Sequence, residues 1–209
     1  MADDGTKGGG KQIQGHGLGG VDTVISVDDV ERQAGELAQE GPDPATLDAL
    51  VEGEPLVVID SLRAGYGKME ILHELHLSVG RRQSLCLIGP NGAGKSTVLH
   101  SIFGFTNIFG GTISIGGEDV TRLSPKDKLK RAGVAYILQD NSVFPDMTVE
   151  ENLWMGGYLA DKPARAKEAA ERVFAKYTRL GERRTQKAGT LSGGERRLLE
   201  ISRALVMEP

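Results

Sequence analysis

The chain has 209 residues, of which 39% are hydrophobic, so it is long enough to bury a sizeable core. Its single cysteine, Cys86, excludes an internal disulfide, and no apolar run approaches the roughly 18 residues needed to span a bilayer. Residues 1–55 carry 12 acidic and 3 basic side chains, whereas the remainder carries 17 acidic and 22 basic ones. This asymmetry predicts two differently built parts.

The first part is predicted to be an acidic, glycine-rich and largely disordered extension over residues 1–55. Its first 20 residues contain eight glycines and few apolar side chains, so burial cannot offset the entropy of ordering them. Residues 15–20 formally match the dinucleotide pattern G-x-G-x-x-G, but no strand precedes them, and the match carries no assignment. A short helix is predicted at residues 27–39, before the breaker GPDP at residues 41–44.

The second part, residues 56–209, alternates predicted strands and helices. Apolar and alternating segments predict strands at residues 56–59, 71–79, 85–88, 112–115 and 134–138. Helical periodicity predicts helices at residues 95–103, 124–131, 149–159, 163–180 and 194–206. The alternation predicts an α/β domain with its ligand at the carboxyl ends of the strands, and residues 141–190 predict a separate helical lobe.

A glycine-rich loop follows the predicted strand at residues 85–88. The run GPNGAGKST at residues 89–97 satisfies the phosphate-binding pattern G-x-x-x-x-G-K-[ST]. Glycines let backbone N–H groups turn toward phosphates, and the following helix adds the positive end of its dipole. The lysine supplies a mobile positive charge, and the serine hydroxyl can ligate Mg²⁺. The expected nucleotide-binding residues here are Gly89, Asn91, Gly92, Gly94, Lys95, Ser96 and Thr97.

A second glycine-containing segment, LSGGERR, occupies residues 191–197 at the start of an amphipathic helix. Ser192 is a plausible N-cap, and the exposed N–H groups at Gly193 and Gly194 would form a second anion site of the same physical type. Taken alone, such a segment is usually just an ordinary capped helix start.

Together these segments resemble the ATP-binding cassette (ABC) ATPases. Residues 89–97 resemble their Walker A motif, residues 191–197 their signature motif, and Gln139, at the end of the run AYILQ, their Q-loop glutamine. Tyr66 stands where the family carries the aromatic side chain that stacks on adenine. The resemblance covers residues 56–209 and implies a P-loop NTPase fold of the ABC ATPase type, an α/β domain with a mixed sheet core, an antiparallel β subdomain and a helical lobe.

The resemblance implies ATP and Mg²⁺ as cofactors and two domains packed head to tail. ATP held by Tyr66, Lys95 and Ser96 of one domain would be covered by the signature residues of the other, which are Ser192, Gly193 and Gly194. Lys95 and Gln139 would be catalytic, and Ser96 and Gln139 would hold Mg²⁺. Residues 144–154 would meet a membrane subunit, or their large side chains would simply pack in the core.

The sequences of residues 66–79, 143–153 and 188–195 resemble those of the branched-chain amino acid importer ATPases. The ATPases of importers for urea or other amides share much of this sequence. The implied partners are a second ATPase subunit, identical or not, and transmembrane permease subunits. A periplasmic or extracellular solute-binding protein would act indirectly, and no nucleic acid is implied. The implied location is the cytoplasmic face of the membrane, reached through the permease.

In this family the Walker B strand, the catalytic glutamate and the switch histidine follow the signature, and none of them is present before Pro209. We therefore expect a domain that is incomplete at its C-terminus and an ABC-type ATPase that is inactive as the chain stands. A nucleotide-binding module that does not hydrolyse ATP is the alternative, and a soluble ATPase acting on nucleic acid is disfavoured because no basic patch is present. Cys86 is expected to be a buried strand residue beside the phosphate loop.

Overall fold

The computed structural model describes residues 43–139 and 142–209, and the predicted helix at residues 27–39 lies outside these ranges. The first two strands, β1 (Pro55–Tyr66) and β2 (Met69–Gly80), form an antiparallel hairpin. Gly67, in the turn between them, has a φ of 59°, a conformation that glycine adopts readily. The hairpin therefore places Tyr66 at one end of the sheet.

Two further strands complete this sheet. The strand β3 (Asn107–Ile115) pairs antiparallel with the other side of β1, and the short β4 (Glu118–Asp119) pairs with β3, which gives the order β2-β1-β3-β4. Gly111 of β3 lies opposite a bulge in β1 and has a φ of 77°, and a Cβ on it would lie 2.2 Å from the carbonyl oxygen of Ser61. Only glycine fits this close approach of the two backbones.

Three of the predicted strands are confirmed as parts of β1, β2 and β3, but the strands predicted at residues 85–88 and 134–138 are wrong. Neither segment pairs with any strand among the described residues. The apolar pattern marks a segment that is suited to burial, but a strand also needs a hydrogen-bonding neighbour. Leu85 is 50% and Ile88 is 90% exposed. Cys86 is exposed as well, so its predicted burial is also wrong.

The five helices predicted over residues 95–206 are all present in outline, and residues 43–139 and 142–209 form seven helices and one 3₁₀ turn. They are α1 (Pro44–Asp48), α2 (Lys95–Phe103), α3 (Pro125–Ala132), α4 (Val149–Gly156), α5 (Pro163–Lys176), α6 (Thr178–Gly181), the 3₁₀ turn Ala188–Thr190, and α7 (Gly193–Leu205). Within the described ranges, none of the helices is both long and apolar enough to cross a membrane.

Two of the predicted helices differ in extent. The helix predicted over residues 149–159 ends at Gly156. Its C-cap, Gly157, lies so close to α5 that a Cβ there would be 2.4 Å from Ala166 Cβ. The second, predicted over residues 163–180, is two helices, because Tyr177 has φ −119° and ψ 77°, which is not helical. Side-chain periodicity continues through such a break, so the pattern alone does not reveal it.

The buried apolar side chains form two clusters. The first lies between the sheet and α2 and includes Ile59, Leu62, Ile113 and Val98. The second joins α4 to α7 and includes Leu153, Ala170, Leu180 and Leu199. Burial of each such aliphatic side chain contributes about 1.5–3 kcal/mol, so each part has its own source of stability.

The helix α1 and the residues after it contact the sheet, although they belong to the segment predicted as an extension. The side-chain oxygen Asp48 Oδ1 accepts a hydrogen bond of 2.6 Å from Ser78 Oγ, and the carbonyl oxygen of Leu50 accepts one of 2.9 Å from Gln83 Nε2. Ordered contacts with β2 and the residues after it therefore begin before residue 56.

Candidate nucleotide-binding site

The phosphate loop has the backbone conformation that its glycines predict. Helix α2 begins at Lys95 with Gly94 as its N-cap, and Gly94 has a φ of 81° and Gly92 one of 90°. A Cβ on Gly94 would lie 3.1 Å from Leu72 Cδ2, so space as well as conformation favours glycine. Among the described residues no side chain caps this helix start, so its first N–H groups are available to an anionic ligand.

Lys95 folds back over the loop. Its ammonium nitrogen, Nζ, donates hydrogen bonds to the carbonyl oxygens of Gly89 at 2.9 Å and Pro90 at 2.6 Å. These two bonds hold a positive charge above the same loop whose N–H groups can face phosphate. The lysine and the helix start therefore lie together at the loop.

Ser96 and Thr97, next to Lys95, differ in accessibility. Ser96 is exposed, whereas Thr97 is only 5% exposed. Asn91 and Gln139 are exposed as well. The structure therefore leaves Ser96 open to a ligand and places Thr97 against the protein interior, where it would reach a phosphate only after local movement.

The donor set suits Mg²⁺ bound together with a nucleotide. Mg²⁺ prefers oxygen ligands and keeps several waters and phosphate oxygens, so it needs only one or two groups from the protein. The Ser96 hydroxyl and the Gln139 side-chain amide oxygen are such groups. Residues 43–139 and 142–209 contain no cluster of three or more His, Cys, Asp or Glu that could hold a metal by itself.

Tyr66 reaches helix α2 through a histidine. Its hydroxyl is hydrogen-bonded to His100 Nδ1 at 2.5 Å, and His100 Nε2 is hydrogen-bonded to the Tyr136 hydroxyl at 3.0 Å. Tyr66 is 38% exposed, so part of its surface remains open. His100 and Tyr136 were not predicted as site residues, since only folding brings these three segments together.

The signature segment is a capped helix start. The Ser192 hydroxyl accepts the N–H of Glu195, and the Glu195 carboxylate accepts the N–H and the hydroxyl of Ser192 at 3.1 and 2.8 Å. Gly193 and Gly194 are exposed, and a Cβ on either would meet nothing within 4 Å. Packing within the chain therefore does not require glycine at these two positions.

Two arginines, one on α6 and one shortly after it, hold the Glu195 carboxylate in place. Its Oε1 atom lies 3.1 Å from Arg179 Nε and 2.9 Å from Arg183 Nε, and the residue is 8% exposed. Hydrogen bonds from the Ser192 side chain and backbone, followed by the bond from Arg179, lower the pKa of Glu195 to about 2. The carboxylate therefore stays ionised near neutral pH. The pattern S-x-x-E could have predicted the capping, but not the arginines.

The region predicted to meet a membrane subunit is divided between core and surface. Leu153 is fully buried and Trp154 packs against the same cluster, whereas Phe144 is 43% exposed. Asn152, which was not predicted, accepts the N–H of Phe144 at 2.8 Å and donates to the carbonyls of Phe144 and Thr148. This buried amide fixes the loop before α4. Core packing thus explains Leu153 but not Phe144.

The structure does not bring the signature residues to the phosphate loop. In the part of the chain that the structure describes, no hydrogen bond joins Ser192, Gly193 or Gly194 to residues 89–97. The two segments predicted to bind anions are therefore not linked by a direct hydrogen bond in the described residues.

The sequence and the fold define the class of protein. Residues 72–209 match the family described as ABC transporter, and the chain belongs to this family. A nucleotide-free ATP-binding cassette from an ABC transporter is similar, with a TM-score of 0.65 at 27% identity over 75% of this chain and 66% of that one. The ADP conformation of an ATP-binding cassette of an ABC transporter is also similar. Its TM-score is 0.65 at 29% identity, and the match covers 75% of this chain and 66% of that one. These likenesses confirm the predicted P-loop NTPase fold of the ABC ATPase type, of which the chain covers part.

Three curated relatives are named as transport or import ATP-binding proteins. The chain is 40% identical, over 69% of its length, to a probable branched-chain amino acid transport ATP-binding protein, LivF, from Archaeoglobus fulgidus. It is 38% identical, over 74% of its length, to the high-affinity branched-chain amino acid transport ATP-binding protein BraG from Pseudomonas aeruginosa. A putative 2-aminoethylphosphonate import ATP-binding protein, PhnT, from Salmonella paratyphi A is 34% identical over 76% of this chain and 42% of its own. The chain spans 61% of the first relative and 65% of the second.

Proposed function

We propose that this chain is the nucleotide-binding part of an ABC importer ATPase and that it binds ATP with Mg²⁺. The observation that carries the proposal is the phosphate loop, where Lys95 lies over the glycine turn and helix α2 starts without a side-chain cap. A triphosphate is the ligand that such a concentration of positive charge and free N–H groups suits best.

Each part of the nucleotide would meet its own group of residues. The N–H groups of Gly92 and Gly94 and the ammonium of Lys95 would neutralise the phosphates, and Tyr66 would stack on the base. Ser96 and Gln139 would hold Mg²⁺, which supplies further charge neutralisation when bound. Gln139 would also orient water at the γ-phosphate. Hydrolysis is the proposed activity of the whole subunit, because phosphoryl transfer depends on positioning and charge neutralisation.

A second ATPase subunit is the proposed partner at the signature segment. Gly193 and Gly194 are exposed, and in residues 43–139 and 142–209 no atom lies within 4 Å of a Cβ placed on either of them. The space beside them would admit the triphosphate held by another subunit, with Ser192 at its edge. Permease subunits would hold this pair at the cytoplasmic face of the membrane, with a solute-binding protein acting indirectly.

Branched-chain amino acids are the proposed solute, since LivF and BraG are named for their transport. Importer ATPases named for 2-aminoethylphosphonate and sn-glycerol-3-phosphate are also similar, at 34% identity. Uptake of labelled leucine and of labelled urea by cells with and without the gene would test this choice. Loss of leucine uptake alone supports the proposal, and loss of urea uptake alone contradicts it.

Nucleotide binding is tested by calorimetric titration of the chain with ATP and Mg²⁺. Lys95→Ala removes the charge above the loop, so we expect at least a tenfold rise in the Kd for ATP. Lys126→Ala, which changes an exposed lysine on α3, is the matched control and should bind like the wild type. Equal affinity of the Lys95→Ala variant and the wild type would contradict the assignment of the phosphate loop.

A further inference from the structure

His100 connects three segments that the proposed function uses separately. Its Nδ1 atom is hydrogen-bonded to the hydroxyl of Tyr66, and its Nε2 atom to the hydroxyl of Tyr136. Tyr66 ends β1, and Tyr136 lies three residues before Gln139. We propose that His100 is a positioning residue for the base of the bound nucleotide, an inference that rests on the proposed function.

The position of His100 on α2 gives this connection its significance. The helix begins at Lys95, so His100 and the phosphate-binding lysine belong to one rigid element. Tyr66, in contrast, lies at the end of a strand of the hairpin, and the residue is 38% exposed. The bond from Tyr66 to His100 therefore sets the distance between the ring that stacks on the base and the groups that hold the phosphates.

Aromatic contacts fix the histidine ring itself. The rings of Tyr66, Phe105 and Tyr136 meet it edge to face, with centroids 6.1, 5.8 and 5.5 Å away. Such contacts restrict the rotation of the imidazole. A neutral imidazole has one donor and one acceptor nitrogen, and a tyrosine hydroxyl can serve as either partner, so both bonds are satisfied in either tautomer.

The turn after Tyr66 is held independently of the histidine. The side-chain amide of Asn107 donates a hydrogen bond of 2.7 Å to the carbonyl of Gly67. Loss of the His100 bond should therefore free the Tyr66 side chain without releasing the hairpin. The backbone contacts and the side-chain contact have separate roles, which makes the side-chain role testable.

The role predicts a selective effect on binding. A residue that only supports α2 would affect every ligand of the phosphate loop equally, whereas a residue that positions Tyr66 affects only ligands with a base. Stacking on an aromatic side chain depends on the base alone. The ratio of the Kd for ATP to the Kd for inorganic tripolyphosphate therefore separates the two roles.

The experiment compares His100→Phe and Tyr66→Phe with the wild type in calorimetric titrations with Mg²⁺. His100→Phe keeps a ring in the cluster, and Tyr66→Phe keeps the stacking surface, while each removes the bond between them. We expect both variants to bind ATP about three- to tenfold more weakly and tripolyphosphate within about twofold of the wild type. The double variant should bind ATP no more weakly than the weaker single variant, because the two residues share one bond.

Tyr158→Phe is the matched control, since Tyr158 is 78% exposed, and it should match the wild type for both ligands. Equal weakening of the binding of ATP and of tripolyphosphate would overturn the proposal. Unchanged ATP binding in both variants, while Lys95→Ala still raises the Kd for ATP at least tenfold, would overturn it as well. The phosphate-site assignment would survive those results. If the wild type bound neither ligand, the proposed function and this inference would both fail.

Discussion

Arg197 and Glu200, one turn apart on α7, hold the chain on both sides of the segment that follows Gln139. Arg197 Nη1 donates to the carbonyl oxygen of Leu138 at 2.8 Å and to Glu200 Oε2 at 2.9 Å, and Glu200 Oε1 accepts the N–H of Ser142 at 3.0 Å. Because α7 begins at the signature residues, this pair connects the signature helix with the candidate Q-loop. We expect these hydrogen bonds to couple the positions of the two segments.

Glu200→Ala is the first test of this connection. Burial tends to raise the pKa of Glu200, but hydrogen bonds from Arg197 and Ser142 outweigh it, so the pKa is lowered and the carboxylate is charged. Its removal leaves the Ser142 N–H without its acceptor, and we expect the free energy of unfolding to fall by about 1–3 kcal/mol in urea denaturation. Glu200→Gln keeps an acceptor and should lose less. Equal stability of Glu200→Ala and wild type would show that the pair contributes nothing.

We expect protonation of Glu195 to lower the free energy of unfolding at acidic pH. Its pKa in the folded chain is about 2, below the ordinary value of 4.5. The stabilisation is therefore fully present above about pH 4.5 and is lost as the pH falls toward 2, because the unfolded chain binds the proton first. Urea midpoints of Glu195→Gln should vary less with pH between 5 and 2.5 than those of the wild type. Parallel pH profiles would contradict this role.

We expect Lys128 to stabilise the C-terminal end of α2. It is fully buried, and its ammonium donates to the carbonyl oxygens of Ser101 and Ile102 at 3.1 and 2.9 Å, near the end of that helix. Lys128→Met keeps most of the volume but removes both donors, so we expect a loss of about 1–3 kcal/mol in the free energy of unfolding. Lys126→Met on the exposed side is the control. The prediction fails if both variants unfold at the same denaturant concentration.

Gly193→Ala should separate folding from assembly. A Cβ at this position meets nothing within 4 Å, and alanine favours a helix more than glycine does, so the melting temperature should not fall. If the triphosphate of a second subunit occupies this space, the methyl group should weaken ATP-dependent dimerisation at least threefold, measured by analytical ultracentrifugation. Gly181→Ala on α6 is the control, because a Cβ there would meet, of the described residues, only Phe174, at 3.5 and 3.8 Å. Dimerisation equal to that of the wild type would argue against an ATP contact here.

Local features of the fold could be predicted from the sequence. The phosphate loop and the bounds of α2 follow from Gly94 and Lys95, and the signature helix follows from the capping serine, Ser192. In these cases the residues that determine the conformation are neighbours in the chain. The prediction needs no knowledge of tertiary structure.

Features that depend on distant partners could not be predicted. Residues 85–88 have a strand pattern but no pairing neighbour in the described parts of the chain, and no pattern in the segment itself shows this. The contact between Arg197 and Leu138 joins residues 59 positions apart, and that between His100 and Tyr136 spans 36. Such pairs form only when two elements pack together, so a single sequence without homologues does not reveal them.

The exposure of Cys86 offers a practical route to several of these measurements. It is the only thiol in the 209 residues and lies three positions before Gly89, at the entrance to the phosphate loop. A maleimide dye would therefore attach at one defined position, without any cysteine having to be removed first. Its fluorescence would respond to changes beside the bound nucleotide, so the chain carries a natural attachment point for a reporter of its own ligand.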